Sequence, residues 1–260
     1  MGFLTDIVAD VRRELERHPL DDSALMARAL ALPPARDFAG ALRARVPAVI
    51  AEVKRASPSA GSIAAGLDPA RQARAYVAGG AAAISVLTEP MHFQGSLADL
   101  IAVRTATDVP VLRKDFLVHP SQLIEARAHG ADAVLLIAAC LTALELTALL
   151  EAAKDLGMGA LVEAHGDTDL DRALATGADV VGVNARDLET LEVDVDRALA
   201  RLARIPPDRL AVMESGVATR EDVAGAVTAG ASAILVGEAL MRAPDPGAKI
   251  RELLGRGSTG

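Results

Sequence analysis

Lysine, glutamate and other polar side chains recur where short apolar runs of the sequence end. The set consists of Glu52, Lys54, Lys114, Glu163, Asn184, Arg186, Glu214 and Ser215. Ammonium groups donate protons or hold anions, and carboxylates accept protons, so this set offers acid–base chemistry on an anionic small molecule. Any one of these residues alone is more often just an exposed strand end, and only their convergence favours catalysis.

A Gly-Ala step recurs four times and indicates how the chain positions these residues. The glycines are Gly80, Gly130, Gly177 and Gly230, spaced by 50, 47 and 53 residues. Each follows a helix-like stretch and precedes a short apolar run, which predicts a left-handed residue that ends a helix before a strand. Such a regular repeat indicates alternating helices and strands.

Eight short apolar runs predict eight strands. They are Ala48–Ala51, Ala83–Leu87, Val109–Leu112, Ala133–Ile137, Gly159–Val162, Val180–Val183, Leu210–Met213 and Ala233–Val236. Between them lie helix starts with N-cap signals, such as Asp68-Pro69, Thr142 with Glu145, and Thr219. Continuous apolar runs that alternate with helices are typical of buried parallel strands. We therefore predict an α/β fold, a TIM (β/α)8 barrel, as a single domain over residues 1–260.

Residues 1–45 precede the first strand and are predicted to form a helical N-terminal extension of the barrel. Ile7, Val8, Val11 and Leu15 make one apolar stripe at helical spacing, and a further short helix carries Phe38 and Leu42. The extension either plugs the barrel floor or covers the catalytic mouth, and the spacing does not choose between the two.

All strands of a parallel barrel end at one rim, so residues just past them converge even when they are distant in sequence. The opposite rim serves as a comparison. Its joints are built from Gly, Ala and Pro, as in Val46-Pro47 and Val109-Pro110, and carry fewer charged groups. This asymmetry favours a functional site at the carboxyl ends of the strands.

Two glycines predict a phosphate site at the same rim. Gly216 follows the seventh strand and Gly237 the eighth, and glycine lets backbone N–H groups approach an anion. Residues Gly237–Arg242 are predicted to begin a short extra helix. Glu238 is expected to point its carboxylate away from the phosphate.

Composition excludes several classes of partner. Net charge is −8, and the 260 residues include four Phe, one Tyr and no Trp, so nucleic acid is not expected. The longest apolar run, Ala133–Leu144, is too short to span a bilayer, and no membrane association or signal peptide is expected. Cys140 is the single cysteine, which suits a cytoplasmic protein. No cofactor or metal is expected, because the histidines His18, His92, His119, His129 and His165 lack ligand spacing.

A run of motifs resembles the indole-3-glycerol phosphate synthase family. The most specific motif is Ile50–Ser59, with the sequence IAEVKRASPS. The others, in order, are Ser85–Thr88, Phe93–Gly95, Leu112–Phe116, Val162-Glu163, Gly182–Leu188, Glu214–Gly216 and Val236–Met241. The resemblance covers essentially the whole chain, and because no second barrel follows Gly260 we expect the single-function form.

The resemblance implies conversion of 1-(2-carboxyphenylamino)-1-deoxyribulose 5-phosphate to indole-3-glycerol phosphate, carbon dioxide and water, in tryptophan biosynthesis. It implies Lys114 as the acid of ring closure and Glu163 as the base of dehydration. Lys54 would bind an anionic group or act as a second acid. The substrate partner is thus a sugar phosphate that bears an anthranilate group, and the protein is expected to be a monomer or weak homodimer.

The resemblance also assigns supporting roles. Further catalytic positions are Glu52, Asn184 and Ser215. Substrate contacts are expected from Ser57, Phe93, Phe116, Arg186, Leu188 and Glu214. Phosphate is expected at Gly216, Gly237 and Glu238 through main-chain N–H groups.

Two alternatives stay open at this point. A Schiff-base aldolase would use Lys54 or Lys114 as nucleophile, because a lysine crowded by cations can lose its proton more easily. A non-catalytic phosphate-binding barrel would keep the glycine turns without the chemistry. Phosphoribosylanthranilate isomerase is disfavoured, because the first strand does not end in the cysteine expected there.

Overall fold

A closed parallel barrel forms the centre of the protein. The computed structural model describes residues 2–58, 61–62 and 66–256, and Ser59 and Gly260 lie outside these ranges. The barrel strands are β1 (Ala48–Val53), β2 (Ala83–Leu87), β3 (Val111–Lys114), β4 (Ala133–Ile137), β5 (Gly159–Ala164), β6 (Val180–Asn184), β7 (Leu210–Glu214) and β8 (Ala233–Val236). Closure is made by β1, which pairs Ile50 with Ala83 of β2 and Ala48 with Ala233 of β8. The predicted TIM barrel is confirmed.

Helices surround the barrel and precede it. In chain order they are α1 (Phe3–Arg17), α2 (Asp22–Ala31), α3 (Phe38–Arg43), α4 (Pro69–Gly79), α5 (Leu97–Ala106), α6 (Pro120–Ala128), α7 (Ala143–Asp155), α8 (Asp167–Ala175), α9 (Val195–Leu202), α10 (Arg220–Thr228), α11 (Glu238–Met241) and α12 (Pro246–Leu253). A two-stranded hairpin, Ala56–Ser57 with Gly61–Ser62, follows β1. None of the described helices is long and apolar enough to cross a membrane.

Local signals set the element boundaries. Asp68 caps α4 through the N–H of Arg71, and Thr142 and Glu145 form the capping box of α7. The four repeat glycines all adopt positive φ, from 72° at Gly177 to 103° at Gly230, as their sequence context predicts. Strand β3 begins at Val111, two residues later than predicted, after Pro110, which has no N–H to donate to a ladder.

The N-terminal helices divide between the two ends of the barrel. Phe38 and Leu42 of α3 are fully buried, and Phe38 packs against Gly159, where β5 begins, so α3 closes the floor. Helix α1 places Phe3 at the opposite end, among the residues that line the mouth. The sequence left open whether the extension closes the floor or covers the mouth. Helix α3 closes the floor, and the first turn of α1 lies at the mouth.

The floor carries a buried charge cluster that the comparison of the two rims does not anticipate. Asp132 is fully buried and accepts hydrogen bonds from the backbone N–H groups of Arg36 (2.8 Å) and Val111 (3.0 Å). The Arg104 guanidinium lies 3.3 Å from the same carboxylate. The sequence predicts fewer charged groups at this rim, and Asp132 is one charged group that is buried there, because Arg36 of the extension and Arg104 supply partners for its carboxylate.

Candidate active site

One cavity at the carboxyl ends of the strands brings together every residue that the sequence selected. Its lining includes Glu52, Lys54, Ser57, Phe93, Lys114, Phe116, Glu163, Asn184, Arg186, Leu188, Glu214, Ser215, Gly216, Gly237 and Glu238. These residues come from seven of the eight strands or the segments that follow them, with Phe93 from the segment after β2. The convergence that was required for a catalytic interpretation is present.

A lysine between two buried carboxylates occupies the centre of the cavity. Nζ of Lys114 lies 2.9 Å from Oε2 of Glu163 and 3.2 Å from Oε2 of Glu214. Both glutamates are only 1% exposed. These residues come from β3, β5 and β7, and inward side chains of alternate strands share a layer in such barrels. Gly182 on the intervening β6 makes room, because a Cβ there would overlap Oε1 of Glu214.

The three groups shift one another's protonation. Burial alone would lower the pKa of Lys114, but the carboxylates of Glu163, Glu214 and Glu52 outweigh it and raise that pKa. Burial would raise the pKa of Glu163, yet the Lys114 ammonium and His165 hold it well below its usual value. Burial and the negative charge of Glu163 raise the pKa of Glu214 well above its usual value. In this site Lys114 therefore keeps its proton, Glu163 is ionised, and Glu214 favours its protonated form.

A second lysine lies beside the glycine turn after β8. Nζ of Lys54 is 2.9 Å from Oε1 of Glu52, which is buried at the end of β1. A Cβ on Gly237 would overlap that Glu52 oxygen and stand 3.2 Å from the Lys54 ammonium. Glycine is thus required for the turn to approach the lysine. The Lys54 ammonium and the Gly237 turn therefore lie at the same corner of the cavity.

The turn after β7 is fixed by an asparagine. Ser215 Oγ donates to Oδ1 of Asn184 at 2.8 Å, and the Arg186 N–H donates to the same oxygen at 3.0 Å. Ser215 and Gly216 both have positive φ, 64° and 73°, so the chain turns sharply here. The Arg186 guanidinium donates to the carbonyl of Leu191 at 2.9 Å and closes its own loop over the cavity.

The segment after β8 forms the short extra helix that the sequence predicts there. Helix α11 begins directly after Gly237 and is four residues long. Glu238 points its carboxylate to Arg242, with Oε1 3.0 Å from Nε. The carboxylate is therefore paired with the cation just after the end of α11, while Gly237 and Glu238 line the cavity.

Apolar side chains line the cavity beside the ionisable groups. The rings of Phe93 and Phe116 lie 6.4 Å apart at a tilt of 45°, and Leu188 lies on the same lining. Phe3 also lines the cavity and stacks edge-on against His92, with ring centroids 5.2 Å apart. The lining suits a substrate with a flat apolar part and an anionic part.

Three polar or aromatic residues that line the cavity, Phe3, Glu89 and Asp115, are not among the predicted site residues. Phe3 continues the α1 stripe one helical turn before Ile7, so the helical spacing contained a signal for it. Glu89 lies two residues after the end of β2 and accepts from the N–H groups of Met91, His92 and Phe93. Residues just past the ends of parallel strands converge at one rim, so the position of Glu89 after β2 also predicts that it lies at the mouth. Asp115 lines the cavity and accepts from Thr88 Oγ1 at 2.5 Å.

The remaining reactive groups lie outside this cavity. Among the described residues, no group of three or more His, Cys, Asp or Glu side chains has the arrangement of a metal site. Cys140 is buried, and burial and the charge of Glu163 raise the pKa of its thiol, so it is a poor nucleophile. His165 follows β5 as expected, but its Nε2 lies 3.2 Å from Oε1 of Glu163.

Comparison with known proteins identifies relatives across the full length of the chain. The sequence profile of the family described as indole-3-glycerol phosphate synthase matches residues 4–253. A protein of that name from Nocardioides sp. is 52% identical over 258 residues, covering 98% of this chain and 99% of its own. Another, from Rhodococcus jostii, is 49% identical over 260 residues, covering 99% and 97%.

Solved structures with low sequence identity share the architecture. A 3-hexulose-6-phosphate synthase superposes with a TM-score of 0.62 at 21% identity, covering 80% of this chain and 99% of the other. Thiamine phosphate pyrophosphorylase from Pyrococcus furiosus gives a TM-score of 0.61 at 18% identity, covering 83% and 96%. At these identities the likeness supports the barrel fold alone.

Proposed function

The chain belongs to the indole-3-glycerol phosphate synthase family, and from that premise we propose how the residues at its barrel mouth divide the work of the reaction. The protein is a decarboxylating lyase of tryptophan biosynthesis. It converts 1-(2-carboxyphenylamino)-1-deoxyribulose 5-phosphate to indole-3-glycerol phosphate, carbon dioxide and water. The reaction needs ring closure, loss of carbon dioxide and dehydration, in that order.

Ring closure is assigned to Lys114 as general acid. The aromatic carbon that bears the carboxylate attacks the ketone carbon, and the ketone oxygen takes a proton from Nζ. This assignment is supported by the central position of the Lys114 ammonium, 2.9 Å from Glu163 and 3.2 Å from Glu214. The two carboxylates keep the ammonium charged until the ketone oxygen needs its proton. Departure of carbon dioxide then returns its bonding electrons to the ring.

Dehydration is assigned to Glu163 as general base. After decarboxylation the ring carries a hydroxyl on the former ketone carbon and a CH2 next to nitrogen. Loss of one proton from that CH2 and departure of the hydroxyl as water make the indole double bond. Glu163 is ionised because Lys114 and His165 lower its pKa against the effect of burial, so it is ready to accept the proton. The departing hydroxyl takes its proton from Lys114, which regains a proton from solvent after ring closure.

Lys54 is assigned to the anionic end of the substrate. Its Nζ lies beside the Gly237 turn, where main-chain N–H groups of Gly216, Gly237 and Glu238 are proposed to hold the phosphate. This placement supports anion binding over the role of second acid. Glu52, 2.9 Å from the same Nζ, orients it.

The other cavity residues are assigned to shape and orientation. Asn184 and Ser215, joined by a 2.8 Å hydrogen bond, are proposed to orient the sugar hydroxyls. Glu214 completes the polar network around Lys114, and Arg186 and Ser57 are proposed to contact the substrate from the segments that follow β6 and β1. Phe93, Phe116 and Leu188 are proposed to enclose the anthranilate ring. We also propose a cytoplasmic protein that is a monomer or weak homodimer.

The observation that carries the assignment is the Glu163–Lys114–Glu214 arrangement, because it supplies one buried acid and one buried base at the same place. The test is to add the carboxyphenylamino sugar phosphate to the purified protein, without cofactor, and follow indole fluorescence. A rise in fluorescence with matching phosphate-ester product is expected. No rise, with the substrate unchanged, would contradict the assignment.

The Schiff-base alternative has a direct test. The carboxylates raise the pKa of Lys114, which disfavours the neutral amine that a Schiff base requires. Borohydride added during turnover is therefore expected to trap no substrate on the protein. Covalent capture at Lys114 or Lys54 would favour the aldolase.

A further inference from the structure

His165 contacts the proposed base from the side opposite Lys114. It lies just past the end of β5, two residues after Glu163, and its side chain is 11% exposed. Its Nε2 is 3.2 Å from Oε1 of Glu163, while Oε2 of Glu163 is 2.9 Å from Nζ of Lys114. The Glu163 carboxylate is thus held between an ammonium and an imidazole.

The imidazole has no other evident purpose within the described part of the chain. Both ring nitrogens are buried, and neither makes an aligned hydrogen bond there. Such a polar group costs free energy, so an apolar side chain would pack here at less cost. Asp169 contacts the backbone of this segment and not the imidazole, because its carboxylate accepts from the N–H groups of His165 (3.4 Å) and Gly166 (3.1 Å). Hydrogen bonds of catalytic groups often align only when substrate binds, and the Nε2 contact has this form.

Charged and titratable groups face His165 from several elements. They are Glu163 on β5, Asp169 on α8, Cys140 in the helical turn after β4, Asp187 and Glu189 after β6, and Arg201 on α9. Asp169 is already paired with Arg172 at 2.6 Å. Of the carboxylates in this set, Glu163 is the one whose side chain lies within 4 Å of the imidazole.

We propose that His165 is a positioning residue, whose Nε2–H holds Oε1 of Glu163 so that the carboxylate is oriented toward the proton removed in dehydration. The proposal rests on the assignment of Glu163 as the base. His165 does not touch the substrate cavity, because it lines the neighbouring cavity under α1. It acts only through Glu163.

The test compares three substitutions at this position with an exposed control. His165→Ala and the volume-filling His165→Met both remove the donor, and His165→Gln restores an N–H close to the position of Nε2. We expect the first two to lower kcat roughly 10- to 100-fold with KM within about twofold, and Gln to recover most of the loss. His18→Gln is the control, since the His18 side chain, just after the end of α1, is 74% exposed.

A pH profile separates positioning from a purely structural effect. His165 contributes to the low pKa of Glu163, so its removal raises that pKa and moves the acid limb of kcat to higher pH. A structural defect would lower kcat at every pH and leave the limb in place. An unmoved limb in His165→Met, with equal losses in Gln and Met, would overturn the proposal.

A double substitution makes failure of this proposal distinguishable from failure of the base assignment. If His165 acts through Glu163, His165→Met should cause little further loss in a Glu163→Gln background. Full additivity would overturn the positioning role while leaving Glu163 as base. Near-normal turnover by Glu163→Gln alone would instead overturn the base assignment, and the positioning role with it.

Discussion

Replacement of Lys114 by methionine tests the central ion cluster through both activity and stability. The substitution keeps the volume but removes the ammonium that lies 2.9 Å from Glu163 and 3.2 Å from Glu214. Removal of one partner from a buried ion pair costs about 3–5 kcal/mol of unfolding free energy, because the remaining charge stays buried. Loss of the general acid lowers turnover by roughly two to four orders of magnitude.

The stability loss should depend on pH in a definite direction. In the wild type the pKa of Glu163 is depressed, so its stabilisation is present above its unfolded pKa and is lost as pH falls. In Lys114→Met the two buried carboxylates repel, and their pKa values lie above the unfolded ones. The folded variant then binds one proton more than the folded wild type, in which Glu214 already favours its protonated form, and the deficit relative to wild type grows from pH 5 to pH 7 by up to about 1.4 kcal/mol per pH unit.

The assay is urea unfolding of both proteins at pH 5 and pH 7, with turnover of the sugar phosphate measured in parallel. Glu214→Gln added to Lys114→Met removes one of the two repelling charges, and part of the lost stability should return at pH 7. Equal deficits at the two pH values, together with turnover within tenfold of wild type, would refute the reasoning.

Two further predictions address the Gly237 turn, where phosphate is proposed to bind, and the barrel floor. Gly237→Ala places a Cβ against Oε1 of Glu52 and beside the Lys54 ammonium, so KM should rise by about tenfold or more with the fold retained. Gly225→Ala is the matched control, because its Cβ meets no described atom within 4 Å, and it should leave KM unchanged. Burial raises the pKa of Asp132 to about 6, so the stability it contributes is full below its unfolded pKa and is lost as pH rises through about 6. Relative to Asp132→Asn, the wild type should therefore lose up to about 3 kcal/mol of unfolding free energy between pH 4 and pH 7, and a flat difference in urea titrations would contradict this.

The barrel could be predicted because its signals are local. Gly80 and Gly230 mark helix ends by a backbone conformation that other residues rarely adopt, and Thr142 and Asp68 mark helix starts by side-chain hydrogen bonds. Each signal acts within a few residues, so the sequence alone locates it. The order of helices and strands then leaves few possible topologies.

The candidate site could be located but not resolved in detail. The strand-end rule brings Lys114 and Glu163 to one rim, because all parallel strands end there. Which carboxylates touch Lys114 depends on the stagger of the strands around the barrel, which no short motif encodes. The same holds for Phe3, since helical spacing shows the apolar face of α1 but not that its first turn reaches the mouth.

The burial of Asp132 is a second feature that the sequence alone does not predict. In the sequence it follows Gly130-Ala131, and its near neighbours do not indicate that its carboxylate is buried. It is buried because Arg36, 96 residues earlier, donates its backbone N–H. Partners so distant in sequence are determined by tertiary packing, which single-residue exposure preferences do not capture.

The central claim, that Lys114 closes the ring and Glu163 completes the dehydration, is tested most directly by separating the two products in time. Substrate labelled with carbon-13 in its carboxylate is mixed with excess Glu163→Gln protein, and labelled carbon dioxide and indole-3-glycerol phosphate are quantified from quenched samples. The account predicts carbon dioxide release well ahead of indole-3-glycerol phosphate, with a cyclised hydroxyl-bearing intermediate in between, whereas wild type releases both together. Indole-3-glycerol phosphate and carbon dioxide appearing at equal, near-normal rates in Glu163→Gln would contradict it.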